Sequence, residues 1–192
     1  SHALKVVGTE YSVDELVNRI LKDEKFIKRS NGGVTFSGGE PALHCQFISD
    51  LAKKLKAKDF HLAFDTYGMA GKNVLRELLP EMDLILFDLK EMDSQKHKAF
   101  TGVENEKILN NLIFVGELIT EKNLKTKLWI RTPLITGMTD TIENISAIGE
   151  FLSDQLPDMV QRWELCAFNN LCKEKYRKLG LEPYLDFVVT SE

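Results

Sequence analysis

The chain has 192 residues, of which 43 % are hydrophobic and 28 % charged, a length and composition that suit one soluble globular domain with a proper core. Lysine and arginine total 25 against 29 aspartate and glutamate, a net charge of −4 that argues against a nucleic-acid binder. No apolar run reaches membrane-spanning length, no signal-peptide pattern opens the chain, and three cysteines point to a reducing, cytoplasmic setting rather than a disulfide framework.

Helical and strand patterns alternate. Ser12-Val13-Asp14-Glu15 has the spacing of a capping box and predicts a helix with Leu16, Ile20 and Leu21 on one face. Val34-Thr35-Phe36 is the first clear strand, and it runs into Ser37-Gly38-Gly39-Glu40-Pro41. Glycines there let a ligand approach the backbone, and Pro41 suits the first position of a helix. That helix is expected over about 43–57, with Phe47, Leu51 and Leu55 at helical spacing and lysines toward its end. His61–Phe64 is a second strand ending at Asp65, and a helix over about 71–79 stops at Pro80. Leu84–Phe87 is a third strand, followed by Asp88-Leu89-Lys90 and helices near 94–100 and 106–121. Lys127–Ile130 is a fourth strand ending at Arg131, 139–154 is helical, and Arg162–Cys166 is a fifth strand ending near Asn169. A helix over 173–179 and a short strand over 187–189 complete the reading.

Such alternation implies parallel strands joined by right-handed crossovers, hence a full or partial (β/α) barrel or an open doubly wound sheet. Either places a site at the carboxyl ends of the strands. Those ends carry Glu40, Asp65, Asp88 with Lys90, Arg131 and Asn169. Each has a plain structural reading: Glu40 as a helix-start acid, Asp65 as a turn residue, Asp88 paired with Lys90, Arg131 in a surface ion pair. Charge at five consecutive strand ends is better explained by a ligand. Carboxylates accept from an ammonium and from ribose hydroxyls, while lysine and arginine donate to a carboxylate, so the set suits a hydroxylated zwitterion. No phosphate-binding glycine motif is present.

These residues carry a resemblance to the glycyl-radical-enzyme activating enzymes of the radical S-adenosylmethionine superfamily, of the pyruvate formate-lyase activating type. Gly33–Pro41 resembles the family's Gly-Gly-Glu motif, Asp65-Thr66-Tyr67-Gly68 its Asp-Thr-Asn-Gly turn, Asp88-Leu89-Lys90 its Asp-x-Lys motif, and Trp129-Ile130-Arg131 its arginine-bearing strand. The loop from Pro133 to Asp140 is similar to the one that follows, and the similarity runs from about Leu4 to Leu181.

The resemblance implies a single partial (β/α)6 TIM-like barrel over residues 1–192, with its first strand missing. It implies S-adenosylmethionine as cofactor, with Gly38, Gly39, Glu40 and Asp65 about the methionine amino group and Lys90 and Arg131 about the carboxylate or ribose. Asp88 belongs to the same set, and with Asp65 and Thr66 it resembles a monovalent-cation site. Asn169 stands where some relatives carry a histidine, which leaves a hydrogen bond but no charge. The family holds a [4Fe–4S] cluster on Cys-x-x-x-Cys-x-x-Cys, and that motif is absent: Cys45, Cys166 and Cys172 are wrongly spaced, and the chain opens Ser1-His2 without methionine. The expectation is an amino-terminally truncated and inactive piece. Its parent would cleave the cofactor reductively and take a hydrogen atom from a glycine of a partner enzyme, with flavodoxin or ferredoxin as electron donor. An exposed sheet edge would invite self-association. The rival readings are a Schiff-base aldolase using Lys90 and a partner-binding domain without chemistry. Trp129 and Trp163 read as packing residues, and His44, His61 and His97 lack metal-ligand spacing.

Overall fold

The computed structural model describes residues 8–167 and residue 180. The expected helix over 173–179, the strand over 187–189, Asn169 and Cys172 lie outside the described residues.

Ser12 caps α1 (Val13–Leu21) and exchanges hydrogen bonds with Glu15, the capping box in full. A short α2 (Glu24–Arg29) follows, which the sequence reading did not separate. Next come β1 (Gly33–Phe36), a 3₁₀ turn over Pro41–His44 and α3 (Cys45–Lys56). The helix expected from residue 43 therefore begins as a tighter turn, with Pro41 at its start. Further on are β2 (His61–Thr66), α4 (Lys72–Leu78), β3 (Leu84–Asp88), α5 (Ser94–Thr101) and α6 (Glu106–Glu121). The described residues end with β4 (Lys127–Leu134), α7 (Ile142–Gln155) and β5 (Val160–Ala167). Pro80 sits inside a 3₁₀ turn, Leu79–Glu81, instead of ending α4 outright.

The five strands form one parallel sheet in the order β1-β2-β3-β4-β5. A doubly wound sheet needs a reversal of strand order, and none occurs. With right-handed crossovers, sequential order puts every connecting helix on one face. This is the winding of a TIM-like barrel, here an unclosed arc.

Parallel partners project from the same face. On the helix-covered face, Leu62, Phe64, Ile85, Phe87, Leu128 and Ile130 are buried against α3, α4, α6 and α7. The other face carries Ala63, Asp65, Leu86, Asp88, Trp129, Arg131, Arg162 and Glu164, paired in register and partly open. Trp163 packs on the core, and its indole N–H donates to Thr132 Oγ1 at 3.0 Å. Trp129 lies on the open face, beneath Arg162 at 4.7 Å from the ring centre. A register shift between Leu128 and Trp129 interrupts the β4–β5 ladder, and the Gln161 side chain accepts from the Leu128 N–H at 2.6 Å there.

At the opposite, amino-terminal ends of the strands, Asp83 ties three elements together. Its carboxylate takes the Lys56 ammonium at 2.8 Å and the Leu62 N–H at 2.8 Å. Its backbone bonds to Leu62 and to Lys127, each at 2.9 Å.

Candidate functional site

The charges at the carboxyl ends of β2, β3 and β4 meet. Arg131 Nη2 donates to Asp65 Oδ1 and, at 2.9 Å, to Asp88 Oδ1. Lys90 Nζ donates to Asp88 Oδ2 at 3.1 Å, and Ser37 Oγ donates to Asp65 Oδ2 at 3.1 Å. Asp65, Asp88, Lys90 and Arg131 thus form one network on the open face, two carboxylates against two cations. Their side chains stay 21–31 % exposed, so a solute can reach them. Burial works to lower the Arg131 pKa, but the Asp88 and Asp65 carboxylates more than offset this and hold its guanidinium above the ordinary value. Arg131 Nε is buried and finds no partner among the described residues.

Glu40 is not in that network. It is 6 % exposed. Its carboxylate accepts from Thr66 Oγ1 at 2.8 and 3.0 Å, from the Tyr67 N–H at 3.2 Å and from the Ala42 N–H at 3.2 Å. Thr66 follows Asp65 along the strand and projects from the opposite face. The carboxylate of Glu40 therefore locks the turn after β1 onto the turn after β2, from the helix side. What it leaves for a ligand is the Gly38-Gly39 backbone. Gly38 has φ +124, a conformation that side chains rarely adopt, and a Cβ on either glycine would meet nothing within 4 Å. This is an open edge of main chain on the rim.

Buried asparagines hold the remaining strand-end turns, a role the sequence reading missed. Asn111 of α6 donates to Gly68 O at 2.7 Å and Ala70 O at 2.8 Å. Asn105 donates to Glu91 O and Met92 O at 2.9 and 2.8 Å. Asn144 of α7 donates to Lys90 O at 2.9 Å and Thr139 O at 3.0 Å, and it accepts from the Met92 N–H at 2.9 Å. Gly68 has φ +77, and a Cβ there would lie 2.3 Å from the Phe87 ring, so this turn needs glycine on two grounds. Asn111 interrupts the apolar stripe of α6, which is the one sequence signal that could have marked it.

Among the described residues, no group of three or more histidine, cysteine, aspartate or glutamate side chains gathers as a metal would require. Cys45 and Cys166 are free thiols. Burial first, and then the neighbouring carboxylates Glu77 and Glu164, raise their pKa values above the usual thiol range.

The sequence profile of the radical SAM superfamily matches residues 3–147. The chain is 37 % identical to the pyruvate formate-lyase-activating enzyme of Staphylococcus epidermidis over 181 residues, 91 % of this chain and 68 % of that protein. The chain belongs to the radical SAM superfamily. The (2S)-3-sulfopropanediol dehydratase activating enzyme of Klebsiella oxytoca is 36 % identical over 184 residues, 96 % of this chain and 56 % of the relative. A crystallised domain of pyruvate-formate lyase-activating enzyme from Bacteroides vulgatus superposes with a TM-score of 0.64 at 34 % identity, covering 79 % of this chain and 96 % of that one. These relatives are glycyl-radical-enzyme activating enzymes, the radical SAM branch that the strand-end motifs resemble. The chain spans little more than half the length of several curated relatives. S-adenosylmethionine and a [4Fe–4S] cluster are the cofactors of this superfamily. The other two readings, an aldolase and a binding domain without chemistry, gain no support, and Lys90 is held by Asp88. No helix among the described residues is long and apolar enough to cross a membrane.

Proposed function

We propose that this chain is the S-adenosylmethionine-binding half-barrel of an enzyme that activates a glycyl radical enzyme of the pyruvate formate-lyase class. The observation that carries this reading is the convergence of Asp65, Asp88, Lys90 and Arg131 on the open face beside the bare Gly38-Gly39 backbone.

The donor set fits the cofactor. Two carboxylates and two cations sum to zero charge, so a zwitterionic amino acid head enters without leaving an uncompensated charge. The Gly38 and Gly39 carbonyls, with Asp65, accept from its ammonium, and Glu40 keeps that turn in place. Arg131 and Lys90 donate to its carboxylate, while Asp88 holds both cations in position and accepts from a ribose hydroxyl. Asn169, outside the described residues, supplies a further hydrogen bond. A monovalent cation would be held by the Asp65 and Asp88 carboxylates of the same network, while Thr66, committed to Glu40 on the helix side, would support the turn.

When bound beside a reduced cluster, S-adenosylmethionine supplies the radical chemistry that removes a hydrogen atom from a glycine of the partner. The sequence has no Cys-x-x-x-Cys-x-x-Cys, and Cys45 and Cys166 are not gathered with other ligand side chains among the described residues. On this reading the cluster is held by cysteines other than these, and the 192 residues alone are inactive. The unclosed arc suits a macromolecular substrate, because a glycine-bearing loop has to reach the rim. Electrons come from a flavodoxin or ferredoxin, the setting is cytoplasmic, and the open arc allows self-association.

Titration calorimetry with S-adenosylmethionine tests the cofactor site without any activity assay. Asp65→Ala removes an acceptor and frees Arg131, and it is expected to weaken binding by at least about tenfold, the equivalent of one lost charged hydrogen bond. Equal heats from both proteins would falsify the assignment.

A further inference from the structure

Two cavities flank Lys90 on the rim, and His97 lines both. The smaller, about 180 Å³, lies between the β3–α5 loop, α5 and the loop after β4. It has room for more than one water, whose share of the liquid is about 30 Å³. Its walls are apolar at Phe100, Pro133, Ile135 and Met138, and polar at Glu91 and His97 together with Lys90, Thr101 and Thr139.

Glu91 is only 2 % exposed. Its Oε1 accepts from the Asp93 N–H at 2.9 Å, but its Oε2 is buried with no partner among the described residues. A buried carboxylate oxygen without a donor is among the costlier features a fold can carry. The backbone around it is fixed, because Asn105 holds Glu91 O and Met92 O while Asn144 holds Lys90 O. The adjacent cation, Lys90, is engaged by Asp88. His97 is 3 % exposed, and its Nδ1 lies 2.7 Å from Val103 O. A carbonyl only accepts, so Nδ1 carries a proton, and in the neutral imidazole Nε2 is an acceptor. The Thr101 and Thr139 hydroxyls donate to His97 O and Pro133 O, so the polar wall is left with two acceptors that ask for a donor, and the carboxylate asks for positive charge. The remaining walls ask for a hydrocarbon stem.

We infer that the Glu91 cavity is a subsite for a primary ammonium carried on a short alkyl stem. Two sources have this chemistry: the lysine side chain of a polypeptide that reaches the rim, and a free alkylamine. The polypeptide source rests on the proposed activation of a partner enzyme; the recognition of the amine does not. On the polypeptide source, Glu91 selects which partner loop is accepted.

The test is an amide-shift titration of the 192-residue chain with n-propylammonium, n-propanol and propionate. The expected result is saturable shifts confined to residues 90–101 and 133–139 with the ammonium, weaker ones with the alcohol and none with propionate. Glu91→Gln replaces the orphan acceptor by a donor of the same shape and is expected to weaken the ammonium at least tenfold. Ile135→Phe fills the apolar wall, leaves the carboxylate alone and is expected to abolish the shifts, which keeps the test decisive if Glu91→Gln does not fold. A lysine-containing pentapeptide that binds more tightly than propylammonium, and loses this on replacement of its lysine by norleucine, assigns the polypeptide source; the reverse order assigns a free amine. The inference is overturned by non-saturable shifts, by equal affinity in Glu91→Gln, or by a crystal structure grown with the amine in which only water, or Lys90 itself, meets Glu91 Oε2. Calorimetry with S-adenosylmethionine on the same variant separates the two readings. Lost cofactor binding by the parent chain with amine binding intact sinks the cofactor site alone, and the converse sinks only the subsite.

Discussion

At the scale of single residues, the rim shows how one carboxylate is enclosed by hydrogen bonds and another stays open. Glu40 and Asp65 follow strands of similar pattern, yet Glu40 is saturated by Thr66, Tyr67 and Ala42 while Asp65 stays partly open beside Arg131. The sequence offered both meanings for both residues, because strand alternation decides the face and the face depends on where each strand stops. Asp65, Asp88, Lys90 and Arg131 were legible as a set because each lies at or near the carboxyl end of a strand. Glu91 was not: it sits one residue past the Asp-x-Lys motif, and its burial comes from α5 and the β4 loop packing around it. The same limit hid the glycine requirement at residue 68, which becomes visible only when Phe87 is seen beneath it. Gly68→Ala meets both a left-handed backbone and the aromatic ring. It is expected to destabilise the chain by about 2 kcal/mol or more, read as a lower urea midpoint at unchanged slope.

Among the elements, the strands were read well and their partners less so. Val34–Phe36, His61–Phe64 and Leu84–Phe87 are short apolar runs bounded by polar groups, and all are strands. The end of β4 was underestimated, since Thr132, Pro133 and Leu134 continue the strand beyond Arg131. Proline is tolerated there because the strand is near its end, where a missing N–H costs little. The lysines toward the end of α3 do more than suit the helix dipole: Lys54 reaches Asp14 and Lys56 reaches Asp83. The second contact carries a pH signature. Burial disfavours the charged form of Asp83, but the Lys56 ammonium and the Leu62 N–H outweigh it, so its carboxyl titrates below the usual range. A lowered folded-state pKa means that its stabilisation is complete above the unfolded value of about 3.9 and is lost as pH falls through the folded one. Asp83→Asn keeps an acceptor for Leu62 and removes the charge. Its stability is therefore expected to fall less steeply than the parent's below about pH 4, and the gap between the two to be constant above about pH 5. Urea midpoints across that range measure it; parallel acid limbs would assign the acid loss to other carboxylates.

For the molecule as a whole, the buried core and the charged network occupy opposite faces of one sheet. The helix side holds the large buried side chains, Phe64, Phe87, Ile85 and Leu62 among them, while the open side carries charge and Trp129. Substitutions on the open face can then alter the charged network without removing core, and on the proposed function an unclosed arc admits a partner where a closed barrel would be filled by its own side chains. This division predicts where the chain opens first. Strand β3 is paired on both sides, by β2 and β4, and Ile85 and Phe87 are fully buried, so its amides open only with global unfolding. Helix α2 has no buried residue, and its Phe26 is 76 % exposed, so little apolar contact opposes its local opening. Hydrogen exchange followed by mass spectrometry is expected to find α2 amides exchanging on the order of a thousandfold faster than those of β3, a ratio set by the gap between local fraying and global stability. On the proposed function, saturating S-adenosylmethionine binds the folded state alone and is expected to slow β3 by the factor its affinity dictates while leaving α2 unchanged, because fraying of α2 does not dismantle the rim. Slowing of both elements to the same degree would mean that α2 opens only with the rest of the barrel, and would remove the distinction between a frayed outer helix and a core that unfolds as one.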